Sequence, residues 1–331
     1  MDGDLRDPVG ILTESVSRGA STLGEWSVRP LVLCLSGGTD SSALAFAAQR
    51  ARGAFPGGVQ SAHVLHKLRG SESEGDAASV RELCGRLGLP LTLLDAAVEP
   101  GPNLEERARD ARYAALRRAF PNSLLVTAHH LDDQSETVIL RLLRGAGARG
   151  LGGISTLRDD GIWRPFLSHP RSTLEAACDQ VGWTARTDSS NLHPTFARNR
   201  IRLDFLPGWE ASEPGVSLAL ASLAESAQAL APFLERGLDR LASTLSVELD
   251  RNGFSLDLSL WPPDRPPPHE DPELDLLLER TWTRSGRRPW ATAQRTRLIQ
   301  DSTGHSGKRT GGQSEIAVFG GGRLRVEVVS P

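Results

Sequence analysis

Cysteine and lysine are the scarce residues of this 331-residue chain. The three cysteines, Cys34, Cys84 and Cys178, lie far apart and form no C-x-x-C pair. An odd, scattered set excludes a disulfide framework and suggests neither a zinc ribbon nor an iron–sulfur centre. Lysine occurs only at 67 and 308, so arginine carries almost all the positive charge. Genomic base composition accounts for such a bias, and so does a use for the planar guanidinium fork, which suits phosphate and carboxylate. No apolar run reaches the length of about 18 residues that a membrane span needs. The opening MDGDLRDPVG is acidic rather than basic-then-apolar, so no secretory leader is expected and a reducing cytoplasm is the expected compartment. A formal net charge of −3 means that a polyanionic partner must be met by a local basic patch.

What is present is a regular alternation. LVLCL (31–35), SAHVLH (61–66), LPLTLLD (89–95) and SLLVTAHH (123–130) are short apolar runs of the kind that form strands covered on both faces. Between them, residues 41–52, 76–88 and 103–119 carry helical periodicity, with Asn103 and Glu106 at capping-box spacing. Alternating strands and helices imply an α/β fold with a parallel, Rossmann-like sheet. After residue 208 the pattern changes: residues 216–245 read as an Ala/Leu-rich amphipathic helix or helix pair, 262–272 as a proline-rich break, 273–284 as a helix and 314–329 as a β-hairpin. No internal repeat is evident. Three parts are therefore expected: an α/β domain over 1–208, a helical linker or central domain over 209–250, and a small α+β domain over 251–331.

Three stretches invite comparison with phosphate loops. GAGARG (145–150) matches G-x-G-x-x-G, but the preceding ETVILRLLR has helical period, so it reads as a helix C-cap and loop. GHSGKRT (304–310) has the wrong glycine spacing for a Walker A loop and an arginine where magnesium needs a hydroxyl. LVLCLSGGTDSSAL differs from both, because a strand leads directly into Ser36-Gly37-Gly38-Thr39-Asp40-Ser41-Ser42 and a helix follows. Two glycines permit close backbone approach, and successive N–H groups with a helix dipole can cradle an anion. Asp40 in such a turn would repel phosphate unless a cation bridges them, which suggests magnesium or a cationic substrate. The residues alone leave open a plain strand-to-helix turn.

A second polar cluster, His129, His130, Asp132, Asp133 and Glu136, follows the fourth strand, at the sheet edge where open α/β folds place ligands. Asp133 and Glu136 are three apart and share one helical face, where they can bind magnesium or clamp an ammonium group. A helix-capping Asp132 and a satisfied buried histidine are the structural alternatives.

The S-G-G-x-D-S loop at 36–41 resembles that of the PP-loop ATP pyrophosphatases, and the run from 31 to about 207 is similar to the tRNA(Ile)-lysidine synthetase family. The resemblance rests on four further stretches in the same order: NLEERARDARYAAL (103–116), AHHLDDQSETVILRLLRGAGARGLGGI (128–154), RPFLSHPRSTL (164–174) and DSSNLHPTFARNRIRLDFLP (188–207). One departure is His66-Lys67-Leu68-Arg69, where the family usually has glycine in second place. Towards the C-terminus the similarity is weaker and rests on SGKRTGGQSEIAVFGGGRLRV.

The resemblance implies ligation of free L-lysine to C2 of the wobble cytidine of a CAU-anticodon isoleucine tRNA, with ATP split to AMP and pyrophosphate. It implies that residues 36–42 bind ATP, that Asp40 helps hold Mg2+, that Asp133 and Glu136 grip lysine, and that His130 is a base candidate. Between residues 134 and 202 there are ten arginines against six acids. Arg198, Arg200 and Arg202, with Arg109 and Arg112, are expected on tRNA, and residues 251–331 on the tRNA body. A homodimer is left open. The competing readings are a PP-loop thiolation enzyme, which usually needs paired thiols; an amidotransferase synthetase, which needs a glutaminase; and a silent nucleotide- or tRNA-binding module.

Overall fold

The computed structural model describes residues 7–65, 71–96, 98, 101, 104–147, 150–186, 197–250, 253–284, 308–312, 315–320 and 323–328. Lys67, Asn103, residues 188–196 of the fourth family stretch and residues 304–307 lie outside them. The chain divides into two compact units, Met1–Gln228 and Ala229–Pro331.

The first unit begins with helix α1 (Pro8–Thr22), capped by the Asp7 carboxylate on the Gly10 amide. The alternation follows as expected: β1 (Leu31–Cys34), α2 (Thr39–Arg50), β2 (Val59–Leu65), α3 (Ser71–Leu87), β3 (Leu91–Asp95), α4 (Leu104–Ala119), β4 (Leu124–Val126) and α5 (Leu131–Leu143). Then come β5 (Leu157–Arg158), β6 (Ile162–Trp163) and α6 (Arg171–Gln180). The sheet order is β3-β2-β1-β4-β6-β5, parallel except for β5, which runs antiparallel to β6 at one edge. The fourth strand is shorter than its apolar run suggests: β4 ends at Val126, and beyond it the Thr127 amide bond to the Trp163 carbonyl and an isolated bridge between His130 and Phe166 precede α5.

Strand period two sorts the core. Leu31 and Leu33 of β1 face a cluster that includes Leu12, Leu44, Val80 and Leu174 from α1, α2, α3 and α6. Val32 faces the other way, with Ala62, Leu125 and Ile162, and packs with Leu116 of α4. Burial on both faces is the reason the strands read as unbroken apolar runs. At the end of α5, Gly145 adopts φ +72° and the Ala146 amide bonds back to the Arg141 carbonyl. GAGARG therefore begins as a helix C-cap, not as a dinucleotide turn.

A short helix α7 (Ala197–Arg200) continues through a π-turn at Ile201–Phe205 into α8 (Leu206–Ser212). The helix α9 (Val216–Thr244) is one continuous element with Pro232 inside it. By length and composition it could cross a membrane. Its Leu220 and Ala224 are instead buried with Val138 and Ile139 of α5, as core side chains of the first unit.

The second unit contains the end of α9, β7 (Glu248–Leu249), β8 (Gly253–Asp257), α10 (Pro272–Arg284), β9 (Lys308–Gly312), β10 (Glu315–Gly320) and β11 (Arg323–Val328). The order β7-β8-β11-β10-β9 is antiparallel throughout. The expected hairpin is β10–β11, paired from Glu315–Val328 to Gly320–Arg323. Leu274, Leu277, Leu278 and Trp282 project at helical spacing from α10 into a core with Phe254, Leu256, Leu324 and Val326.

Candidate functional site

Three helix N-termini meet at the carboxyl edge of the parallel sheet. The first belongs to α2. Gly37 takes φ +92°, and a Cβ there would lie 3.3 Å from the Asp76 carbonyl oxygen, so the turn requires glycine. Gly38 caps the helix, which begins at Thr39, two residues earlier than its sequence suggests. Ser36 is exposed, and Gly38, Thr39 and Asp40 are half-buried. The hydroxyls of Ser41 and Ser42 both donate to the Gly38 carbonyl at 3.0 Å, and Ser42 also accepts from the Trp183 indole at 3.1 Å. Those two serines hold the loop's shape, and Ser41 also accepts from the Ser36 amide at 3.2 Å and from the Ser36 hydroxyl at 3.1 Å. Trp183 went unnoticed in the sequence because nothing local marks an indole that buttresses a loop 141 residues away.

The second N-terminus is that of α5. His130 is its N-cap residue, and the Asp133 carboxylate accepts from the His130 amide at 3.1 Å, so Asp133 rather than Asp132 supports this end. Asp132 instead accepts from the Arg171 amide at 3.4 Å, at the third N-terminus, that of α6. Asp40 joins the three: one of its oxygens is 3.7 Å from His130 Nε2 and the other 3.7 Å from Arg171 Nε. The latter oxygen, Oδ1, is buried and accepts no hydrogen bond among the described residues, which leaves it available to a cation.

Asp133 and Glu136 are 8% and 0% exposed. Two buried carboxylates on one helical face demand cations, and Arg198 and Arg202 supply them. Arg198 Nε reaches Glu136 at 2.7 Å and its amino group reaches Asp133 at 3.0 Å. Arg202 makes the corresponding contacts at 2.6 and 2.9 Å. The two arginines expected on phosphate are thus brought onto the two acids expected on lysine. Arg200, Arg109 and Arg112 are exposed, the last two on α4, where Arg109 lies 5.6 Å over the Tyr113 ring. Sequence spacing showed each pair to share a face, but not that one pair closes on the other across more than 60 residues.

These contacts fix protonation. Burial opposes ionisation of Asp133, but His130, His129, Arg198 and Arg202 outweigh it and hold its pKa down at about 2. Burial likewise favours neutral His130, yet Asp40, Asp133 and Asp132 prevail and raise its pKa above the ordinary imidazole value. His129, beside it, is pushed down by burial to about 4 and pairs with Thr127 at 2.8 Å. Two adjacent histidines therefore differ in charge state near pH 6. Alongside the acids lies a cavity of about 420 Å3, lined by Glu136, Asp132 and His130 from α5, Arg171 and Glu175 from α6, and Arg202, with aliphatic walls.

A loop of glycine amides at a helix N-terminus, at the carboxyl edge of a parallel sheet and beside buried acids, defines a nucleotide-dependent α/β site. The PP-loop domain family matches residues 12–208. A tRNA(Ile)-lysidine synthase of Methylobacterium nodulans is 41% identical over 66% of this chain and 67% of its own length. One from Symbiobacterium thermophilum is 38% identical over 66% of this chain and 46% of its own. The chain thus belongs to the PP-loop family and, within it, to the tRNA(Ile)-lysidine synthase family. It spans about half the length of several of these relatives. A U34-tRNA thiolase from Methanococcus maripaludis shares the fold, with a TM-score of 0.52 at 18% identity over 66% of this chain and 80% of that one.

Proposed function

We propose that the chain is a cytoplasmic ligase that joins L-lysine to C2 of the wobble cytidine of a CAU-anticodon isoleucine tRNA. The carrying observation is that Asp133 and Glu136 are buried and both bonded to two partly exposed guanidinium cations next to the 36–42 loop. The names of the curated relatives support the same reading.

In the first step the cytidine C2 oxygen attacks the α-phosphorus of ATP, a new C–O–P linkage forms, and pyrophosphate leaves. The amides of the 36–42 loop and the α2 dipole face the place where that negative charge accumulates. Asp40, whose Oδ1 accepts no hydrogen bond among the described residues, is the residue that would hold Mg2+, and the ion would supply charge neutralisation on the phosphates. In the second step the lysine ε-amine bonds to C2 and AMP departs with the C2 oxygen. Lysine arrives as an ammonium ion, so one proton must go before attack. Glu136 and Asp133 grip the cation, and His130 in its neutral form accepts the proton. For the ammonium to reach the acids, an arginine has to yield its place.

Arg109, Arg112 and Arg200 are proposed to meet tRNA phosphates, together with Arg198 or Arg202 when either is released. The functional division into residues 1–208, 209–250 and 251–331 assigns catalysis to the first part and tRNA-body recognition to the last. The thiolation reading keeps some standing from the shared fold with a thiolase. Against it, Cys34, Cys84 and Cys178 are all free, and burial pushes the Cys34 and Cys178 thiols up to about 12, far from a sulfur carrier's thiolate. ATP–pyrophosphate exchange that requires tRNA but not lysine, followed by lysine-dependent AMP release, is the expected behaviour. Exchange without lysine-dependent release would overturn the ligase assignment, and absence of exchange would indicate a binding module.

A further inference from the structure

The cavity beside the acids has a second charged wall that the two-step reaction leaves unused. Arg171 and Glu175 stand four apart on α6, share one face, and lie 3.2 Å from each other. Both side chains are about half exposed, at 41% and 50%, and both line the cavity. The Arg171 Nε is nevertheless buried and makes no hydrogen bond among the described residues, although carboxylates lie at 3.2 and 3.7 Å. Its donor is thus aimed at acceptors that it does not properly meet.

The cavity as a whole pairs four carboxylates, Asp132, Glu136, Glu175 and Glu210, with two guanidiniums, Arg171 and Arg202, and the His130 imidazole. Glu210 is already committed, accepting from the Gly215 and Ser217 amides at 2.6 and 3.0 Å. Leu131, Pro170, Leu206, Pro207 and Leu218 supply aliphatic surface between the charged groups. An excess of negative charge around an aliphatic wall suits a ligand with two cationic ends, one anionic group and a methylene chain. About 420 Å3 is within the size range of small-ligand sites, roughly 300 to 1,000 Å3.

We propose that Arg171 and Glu175 form a clamp for the α-amino-acid end of the substrate: Arg171 takes the α-carboxylate and Glu175 the α-ammonium. This rests on the lysine-ligase reading above. The ion pair between Arg171 and Glu175 is replaced, group for group, by the zwitterion. The substrate's ε-ammonium is then left for Glu136 on the α5 wall, with Asp133 three residues before it on that helix, and specificity for an amino acid over a plain diamine comes from α6.

The test is steady-state lysine incorporation by the full chain with ATP, magnesium and tRNA, comparing L-lysine with lysinamide, cadaverine and Nα-acetyl-lysine. Wild-type protein is expected to have a KM for each analogue about tenfold to a hundredfold above that for lysine, the loss of one charge-assisted hydrogen bond or pair. Arg171→Met raises the KM for lysine by a similar factor while leaving that for lysinamide and cadaverine unchanged. Glu175→Gln raises the KM for lysine but not for Nα-acetyl-lysine. Lysine-independent ATP–pyrophosphate exchange stays at the wild-type rate in Glu175→Gln, which also shows that it folds, whereas Arg171→Met, at a side chain 3.7 Å from Asp40, is judged by its ratio of lysine to lysinamide KM. Equal use of lysine and lysinamide by the wild type overturns the clamp. So does an Arg171→Met variant that loses exchange while its lysine KM is unchanged, since Arg171 then serves the nucleotide. A wild type that exchanges pyrophosphate but incorporates none of the four amines overturns the underlying ligase reading instead.

Discussion

Two of the arginine–carboxylate networks, one taken from each unit, are built in opposite senses, although Arg265 and the buried Asp271 of the second unit repeat the sense of the first. In the first unit the acids are buried: Glu136 is fully enclosed, and Arg198 and Arg202, 39% and 24% exposed, reach in from a short helix and π-turn. In the second unit the cation is buried: the Arg280 side chain is 3% exposed, while its partners Glu235 and Asp239 are 30% and 63% exposed. A buried guanidinium on α10 met by surface acids of α9 is a staple within one core, because its partners cannot be exchanged for a solute without losing the helix–helix contact. Buried carboxylates met by partly exposed arginines are different, since any cation of suitable shape can compete for them. That difference accords with the proposal that the first network binds a cationic ligand.

The largest expected effect follows from removing charge at the exchangeable site. Glu136→Gln keeps the shape but deprives lysine of its counter-ion, so lysine incorporation falls by roughly a hundredfold, at least one strong charge-assisted pair. Pyrophosphate exchange measured on the same preparation is expected to persist. Parallel loss of exchange would merge the two steps into one site and weaken the contrast.

Next is the loop itself. Gly37→Ala forces a non-glycine residue to φ +92° and brings its Cβ to 3.3 Å from the Asp76 carbonyl. The strain costs on the order of 1 to 3 kcal/mol. The ATP-induced rise in Tm is expected to shrink more than the Tm of the free protein, because the distorted amides no longer converge on phosphate.

A pH effect of intermediate size comes from His130. Its folded pKa is raised, so the protonated imidazole stabilises the fold below the ordinary value near 6.5, and that contribution is lost as pH rises through the raised pKa. As base it works only when neutral, so the lysine-addition step is expected to accelerate with pH across the same interval. Single-turnover rates on pre-adenylated tRNA should lose this dependence in His130→Asn. Asp133 behaves in the opposite sense: its pKa, lowered from 3.8 to about 2, gives stability that is present above 3.8 and lost as pH falls towards 2. Denaturation followed between pH 4 and 2 should be less pH-dependent in Asp133→Asn.

The smallest effect belongs to the staple. Arg280→Met replaces a buried cation by an apolar chain and frees acids that are already partly hydrated, so stability changes by about 1 kcal/mol or less. Exchange and lysine incorporation are expected to be those of the wild type. A loss of activity without a loss of Tm would place Arg280 in tRNA recognition and blur the comparison.

The parallel sheet, the loop at 36–42 and the acids of α5 were legible because each depends on local pattern: apolar runs, a glycine turn after a strand, carboxylates at helical spacing. The end of α5 was legible for the same reason. What could not be read is whatever depends on approach through space. Arg198 and Arg202 share a face in the sequence as plainly as Asp133 and Glu136, yet only the fold shows them closing on one another. Arg171 lies in RPFLSHPRSTL, a stretch that resembles the family, but no local chemistry assigns its side chain a task until α6 is seen to end against Asp40. The serines at 41 and 42 illustrate the converse, since hydroxyls that suggest phosphate contacts are turned inward onto Gly38.

The most direct test of the assignment is the mass of a CAU-anticodon isoleucine tRNA transcript after incubation with the protein, ATP, magnesium and L-lysine. The predicted result is the gain of one lysine less one water, confined to the wobble cytidine and dependent on ATP. A transcript that returns unmodified while ATP is split to AMP and pyrophosphate, or one that gains sulfur when a sulfide source is added, would contradict it.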